Sequence, residues 1–415
     1  MKKKYLKTIK GLVFCLVLII CNFGLRMNTN INHRENCPSD TLFETVYIFH
    51  SIAEAKSNWQ SVEFIVLNVL DGSFSYLSSY DCCLFGERML SIHRSEAKIK
   101  NSYIHGSNLP ELTARQYMCS TKHKTFKTVY VGLVESGMPC DPCITVKPVI
   151  YPIIKEHGTA VCAKIAFNHL NPGHLTEWFE YQKLMHVDTV LVMLQYLNDE
   201  ALKVLTFYER QGFLKILPYP TVLPGQTDRG FESTNWHLEQ SSHDEQVAVY
   251  TCQTYFQGYE FVAVIDFDEF IVHDKFMSYM TMLKSELLPA YPDAAAFTLN
   301  VSFFITDWGV SGVEPLLTSK YIQRTLPRFE RYKNLYIPKR IQNINTHEIQ
   351  PKEGYTRILL RTHNVVLYHY RRCPRDDMKW KYCMQIQPRI DKKMYQLMPK
   401  LLSNVIDVKA RIGIS

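Results

Sequence analysis

The sequence predicts an α/β protein: a mostly parallel sheet flanked by helices, preceded by a small disulfide-containing β-rich domain and an N-terminal signal anchor. Three observations carry this. From Thr159 onward, apolar runs alternate with helical patterns, the rhythm of a doubly wound sheet. Within that rhythm Phe261 to Ile265 is unbroken by polar residues, as a strand buried on both faces should be, and it ends in Asp266, Asp268 and Glu269. Before residue 150 the pattern is instead short β-like runs punctuated by Gly, Ser and Asn, with no long helical period.

The chain opens with Lys2, Lys3, Lys4, Lys7 and Lys10, then the apolar stretch Gly11 to Cys21, extended by Phe23 and Leu25. This reads as a cleaved signal peptide or an uncleaved anchor. No small-x-small cleavage site follows, which favours the anchor with its lysines cytoplasmic. The division expected is a cytoplasmic tail at 1–10, a signal-anchor transmembrane segment at 11–25 and a stem at 26–40. A β-rich lumenal domain at 41–150, an α/β domain at 158–395 and a C-terminal tail at 396–415 complete it. Such a chain is a single-pass type II membrane protein facing the Golgi or secretory-pathway lumen. Ten cysteines lie beyond residue 25, an even number that in an oxidising compartment reads as disulfides of undetermined pairing. Cys140-Asp-Pro-Cys143 has no second CxxC and no nearby His pair, so it reads as structural. The net charge of +7 is mostly the five N-terminal lysines; the remainder carries 42 basic against 40 acidic side chains, so no nucleic-acid face is expected.

In the β-rich region the strand-like runs are Val46–Phe49, Val62–Leu67 and Thr128–Val134. Pro148 and Pro152 mark the boundary. Beyond it, strands are expected at Ala160–Phe167, Asp188–Leu194 and Phe213–Leu217. Helices are expected at Leu175–Met185 and from Asn198 or Asp199 to Gln211, the latter ended by Gly212. A Pro/Gly-rich loop with Asp228 and Arg229 precedes a helix over Asp244–Gln257 that feeds the acidic strand; a helix over Lys275–Leu288 and a strand over Ala294–Ile305 follow. Asn300-Val-Ser302 is a glycosylation sequon inside that last strand, a poor place for use.

Three carboxylates cannot be left isolated in a dry core, so Asp266, Asp268 and Glu269 belong at the strand's C-terminal edge, where open α/β sheets bind ligands. Asp-x-Asp at that edge offers two hard oxygen ligands to a divalent ion holding a diphosphate.

With the sheet placed, Ala163 to about Arg371 resembles glycosyltransferase family 92. The motifs are Glu177-Trp178-Phe-Glu-Tyr181, Tyr208-Glu-Arg-Gln-Gly212, Gln246 with Cys252, Asp266-Phe-Asp-Glu-Phe270 and His369-Tyr-Arg371. The resemblance implies a GT-A fold and inverting, Mn2+-dependent transfer of galactose from UDP-galactose to a glycan hydroxyl. It makes Asp268 the principal metal ligand, with Asp266 facing the ribose or sharing the metal and His369 as third ligand. Arg371 reads as a partner for a donor phosphate or as an exposed structural arginine, and Asn168 is expected on the donor side. The base is assigned to Asp307, beside Trp308 on which a sugar could stack, with Glu314 and Glu269 as other carboxylates. Glu177 reads equally as a donor contact or a solvated carboxylate, and Trp178 and Tyr181 as core. Departures from the family pattern are Asn168-His169 for Asn-Glu, Thr251-Cys252 for Asp-Cys and His186-Val187 for Gly-Val. An inactive relative that binds nucleotide sugar, and a metal-dependent hydrolase, are the competing readings.

Overall fold

The computed structural model describes residues 46–72, 79–103, 112–141, 144–219, 238–313, 315–361, 364–374 and 377–414. The expected tail, anchor and stem lie outside them, as do Cys37, Cys143, Asp228, Arg229 and Glu314. Among the described residues no helix is long and apolar enough to cross a membrane.

The β-rich region is a closed barrel. Its strands are β1 (Val46–Ala53), β2 (Phe64–Asp71), β3 (Tyr80–Phe85), β4 (Ile92–Ser102), β5 (Thr113–Ser120), β6 (Tyr130–Glu135) and β7 (Val146–Ile150), in the order β1-β2-β5-β4-β3-β6-β7. β7 returns parallel to β1 and closes the ring, which removes the unpaired edges an open sheet would expose. Alternate residues fill the interior, among them Ile65, Leu67, Val69, Leu84 and Val131. Cys82 and Cys83 point to opposite faces of β3, so adjacent cysteines make separate bridges, Cys82 to Cys119 and Cys83 to Cys140.

The second part is an α/β sheet whose first strands are β8 (Lys155–Asn168), β9 (Thr189–Leu197), β10 (Leu214–Pro218) and β11 (Tyr259–Val264), all parallel, in the order β10-β9-β8-β11. The run after β11 turns back as β12 (Glu269–His273), and β13 (Ala294–Ile305) follows, every residue of it buried. Short strands β14 (Gln323–Arg324), β15 (Asn334–Tyr336), β16 (Ile341–Ile344), β17 (Ile349–Pro351) and β18 (Thr356–Leu360) precede β19 (Val365–Arg371) and β20 (Arg389–Ile390). β15 sits antiparallel between β11 and β13, β18 and β19 run parallel to β13, and β12 pairs antiparallel with β19.

Among the described residues the α-helices of four residues or more are α1 (Pro172–Leu184), α2 (Asp199–Arg210), α3 (Leu238–Tyr255), α4 (Tyr279–Met282), α5 (Leu317–Lys320), α6 (Asp377–Gln385) and α7 (Met398–Ile412). Asn171 caps α1 by accepting from His174 N–H, and Pro172 takes its first turn. Residues 396–415, expected as a tail, hold α7, which buries Leu401, Val405 and Val408 in the main core. The sequon lies in β13 with Asn300 and Ser302 both buried.

Barrel and sheet share one core. Phe49, Ile52, Leu70 and Ala114 of the barrel pack with Val247, Ala248 and Val249 of α3 and with Cys162 and Val264 of the sheet. Polar contacts cross the same seam. Gln116 Nε2 donates to Thr254 Oγ1 (3.0 Å), and the His50 ring meets Pro218 O (3.0 Å) and Thr251 Oγ1 (3.3 Å). Cys162–Cys252 ties β8 to α3.

Candidate active site

Asp266 to Glu269 form the turn between β11 and β12, at the C-terminal edge of the parallel strands, and each residue is held differently. Asp266 is held by lysines. The pairing of β8 with β9 slips between Cys162 and Ile165, and Lys164 there has φ +56, a left-handed conformation costly for a side-chain-bearing residue. This kink brings its ammonium to Asp266 Oδ1 at 2.8 Å and to Glu245. Lys333, just before β15, reaches Asp266 Oδ2 at 2.9 Å and Glu269 Oε1 at 3.6 Å. Both lysines are buried, while the Asp266 carboxylate keeps one open edge, its side chain 37% exposed. Burial alone would raise the Asp266 carboxyl, but the two ammonium groups hold it well below the usual carboxylate range. Of the expected Asp266–Asp268 pair, Asp266 is thus ion-paired with Lys164 and Lys333, while Asp268 lies with Glu269 and His369.

Phe267 packs edge-on against Trp178 of α1, ring centroids 5.1 Å apart. Two aromatics of that helix then fix β12. Trp178 Nε1 donates to Glu269 O (2.9 Å) and Tyr181 Oη to Ile271 O (2.8 Å), satisfying alternate carbonyls on the strand edge that β19 leaves open. Their burial as core was legible in sequence; their hold on the acidic turn was not.

The β12–β19 register sets Glu269 opposite His369, and Tyr370 N–H donates to Asp268 O at 2.9 Å. One ligand atom from each of Asp268, Glu269 and His369 lies within 4.8 Å of the others. His369 Nε2 is 3.4 Å from Asp268 Oδ2, and Nδ1 is 3.3 Å from Glu269 Oε1. Asp268 is open to solvent, with its side chain 45% exposed, whereas Glu269 is fully buried. Burial would lower His369, but the flanking carboxylates outweigh this and raise it; burial raises Glu269 against the opposing pull of Lys333.

Glu269 Oε1 and His369 Nδ1 are buried, 3.3 Å apart, with no other hydrogen-bond partner, so a proton on Nδ1 would satisfy both and leave the Nε2 lone pair toward Asp268. A divalent ion bound there would take Asp268 and His369 Nε2 as oxygen and nitrogen ligands, with Glu269 behind the ring in the carboxylate–histidine–metal arrangement. The residues present fit a divalent cation.

The other expected site residues are dispersed. Asn168, at the C-terminal end of β8 with φ +60, accepts from Asn198 N–H through its carbonyl (3.1 Å). Asp307 Oδ2 accepts from Cys373 N–H (2.8 Å), and Trp308 Nε1 donates to Cys383 O (3.2 Å), so both brace the segment bridged by Cys373–Cys383. Arg371, two residues beyond His369 on β19, lines a cleft with Arg328. Glu177 is neither a donor contact nor solvated. Fully buried, it accepts from Leu317 N–H, Thr318 N–H and Thr318 Oγ1 and so caps α5, while burial pushes it up to about 7. Lys164 and Lys333 were missed: a lysine in an otherwise apolar strand carries no sign of the bulge that aims Lys164, and Lys333 lies before β15, far along the chain from the acidic turn.

Comparison with known proteins completes the picture. A search of curated proteins finds no match. Among solved structures, S. aureus TarS (1–349) overlaps at 13% identity with a TM-score of 0.30, covering 61% of this chain and 71% of that one. The flavohem-like FAD/NAD-binding domain of a Vibrio cholerae nitric oxide dioxygenase overlaps at 8% identity and a TM-score of 0.14, covering 43% of this chain and 74% of that one. Overlaps this slight carry no argument about the fold or the chemistry. The family described as "Glycosyltransferase family 92" matches residues 157–406, which run from the first strand of the sheet through the acidic turn and His369 into α7. With more than half of the chain matched, and the match spanning every element that builds the cluster, the protein belongs to glycosyltransferase family 92.

Proposed function

We propose that this glycosyltransferase moves galactose from UDP-galactose, with inversion and with manganese, onto a hydroxyl of a glycan. The observation that carries the reading is the Asp268–His369–Glu269 cluster at the sheet's C-terminal edge, in which Glu269 faces His369 Nδ1 and leaves Nε2 beside Asp268. When bound, the ion neutralises charge that develops on the departing diphosphate. Asp268 and His369 hold it, and Glu269 keeps the imidazole in the tautomer whose Nε2 lone pair faces outward. Asp266, locked between Lys164 and Lys333, turns its open edge toward the donor ribose, and Asn168 lies at the end of β8 on the same sheet edge. Asp307 is the proposed base: Cys373 N–H occupies Oδ2, and Oδ1, 3.9 Å from the exposed Arg372 Nε, is the oxygen that would accept the acceptor's proton. The lysine-flanked segment 11–25 is proposed as a type II anchor, and the disulfides of the described residues suit the oxidising lumen it implies.

The test is turnover by the full chain with manganese, a panel of nucleotide sugars and mixed glycan acceptors, beside Asp268→Asn. Acceptor-dependent UDP release, reduced at least a hundredfold in the variant, is expected. Nucleotide-sugar binding without release would make the protein an inactive relative, and acceptor-independent release a hydrolase.

A further inference from the structure

Beside the metal cluster lies a second cleft, of about 160 Å³, at the C-terminal ends of β13 and β19. Phe303 forms its floor and connects it to the site. The ring touches His369 on one side, centroids 5.5 Å apart, and carries the guanidinium carbons of Arg328 and Arg371 at 5.0 and 5.9 Å. Ile305, Cys383 and Ile386 supply apolar wall, and Tyr382, 66% exposed, stands at the rim on α6. The Cys373–Cys383 bridge, Asp307 and Trp308 fix the segment that carries this rim.

Two guanidinium groups, those of Arg328 and Arg371, line the cleft, and among the described lining residues the carboxylate is Glu330, 3.0 Å from Arg328 Nε. Arg371 donates Nε–H to Arg372 O and makes no ion pair among the described residues. A cleft for a wholly neutral sugar has no need of two guanidinium groups over one aromatic ring. Forked donors of this kind match a carboxylate or sulfate, and the ring holds them in place.

We infer that this cleft is an acceptor subsite that binds an acidic group, a carboxylate or sulfate ester, on the glycan beside the hydroxyl that is glycosylated. The inference rests on the glycosyltransferase reading of the site. Position favours the acceptor over the donor diphosphate. The cleft opens off β13 and β19, across β15 and β11 from the β8–β10 strands where Asn168 lies, and Phe303 stands between it and His369.

The experiment titrates a trimer of galacturonic acid and the matching neutral galactose trimer into the full chain by calorimetry, without donor. Wild type is compared with Arg328→Gln, Arg371→Gln and Tyr382→Ala, and UDP with manganese is titrated in parallel. Tighter binding of the acidic trimer is expected, falling about tenfold to a hundredfold in each arginine variant and partly restored by Arg328→Lys. UDP binding should be unchanged. Tyr382→Ala, at an exposed position that no fold contact needs, should weaken both trimers alike. Equal binding of the two trimers, or no binding of either, overturns the inference. So does a loss of UDP affinity in Arg328→Gln or Arg371→Gln, which would place the guanidinium groups on the donor diphosphate. If acidic binding holds while no donor is turned over, the transferase reading fails and the subsite stands as a binding cleft.

Discussion

Asp268 and Glu269 are neighbours in sequence with opposite environments, one open to solvent and one sealed, and that contrast divides the labour of the cluster. If Glu269 orients His369 rather than binding the ion itself, Glu269→Gln should weaken manganese affinity about tenfold to a hundredfold. It should leave UDP affinity in the absence of metal unchanged, as calorimetry of both ligands would show. A fall in both would mean the turn had collapsed. The acidic turn was legible because three carboxylates after a buried run have nowhere else to go. Its lysine partners were not, because Lys164 owes its direction to one slipped register and Lys333 to a turn far along the chain. Asp307 illustrates the converse: a carboxylate at a strand end next to a tryptophan suggests chemistry, yet both side chains also secure a disulfide-bridged segment, a task no local pattern announces.

Among the elements, the strands and helices of the sheet were readable from periodicity, with β13 spanning the expected Ala294–Ile305. The turn after α1 shows how a departure from family pattern becomes physical. His186 sits just past the helix with φ +55, the left-handed C′ position that glycine usually fills. What periodicity could not show was that α3 belongs as much to the barrel as to the sheet. His50, on β1, is buried against α3 and the end of β10, and burial lowers its pKa to about 4 from an ordinary 6.5. The folded state keeps the ring neutral, so as pH falls through 6.5 the unfolded chain gains a proton that the folded chain refuses. Stability on this account is full above pH 6.5 and lost toward pH 4, by about 3 kcal/mol. His50→Gln should flatten that part of the melting profile relative to wild type; parallel profiles would mean the ring is hydrated and titrates normally.

For the molecule as a whole, the shared core predicts that barrel and sheet unfold together. Trp59 lies in the barrel region and Trp178 under the acidic turn. Variants in which Trp59 or Trp178 is the one tryptophan kept of the five should report the same urea midpoint by fluorescence. Separate midpoints would show that the seam is merely a contact between independent domains. A boundary near Pro148 and Pro152 was visible in sequence as a change of rhythm, and a change of rhythm marks where architecture alters, not where cooperativity ends.

The seam also sets a timetable for synthesis. β7 ends at Ile150, so the barrel can complete its ladder once that residue is free of the ribosome, but Phe49, Ile52 and Leu70 wait for α3, which ends at Tyr255. At about 5–20 residues per second, a nascent barrel carries a bare apolar flank for roughly 5–20 seconds. Over that interval the chain is most open to chaperone capture and to mispairing of Cys162, whose partner Cys252 has yet to emerge.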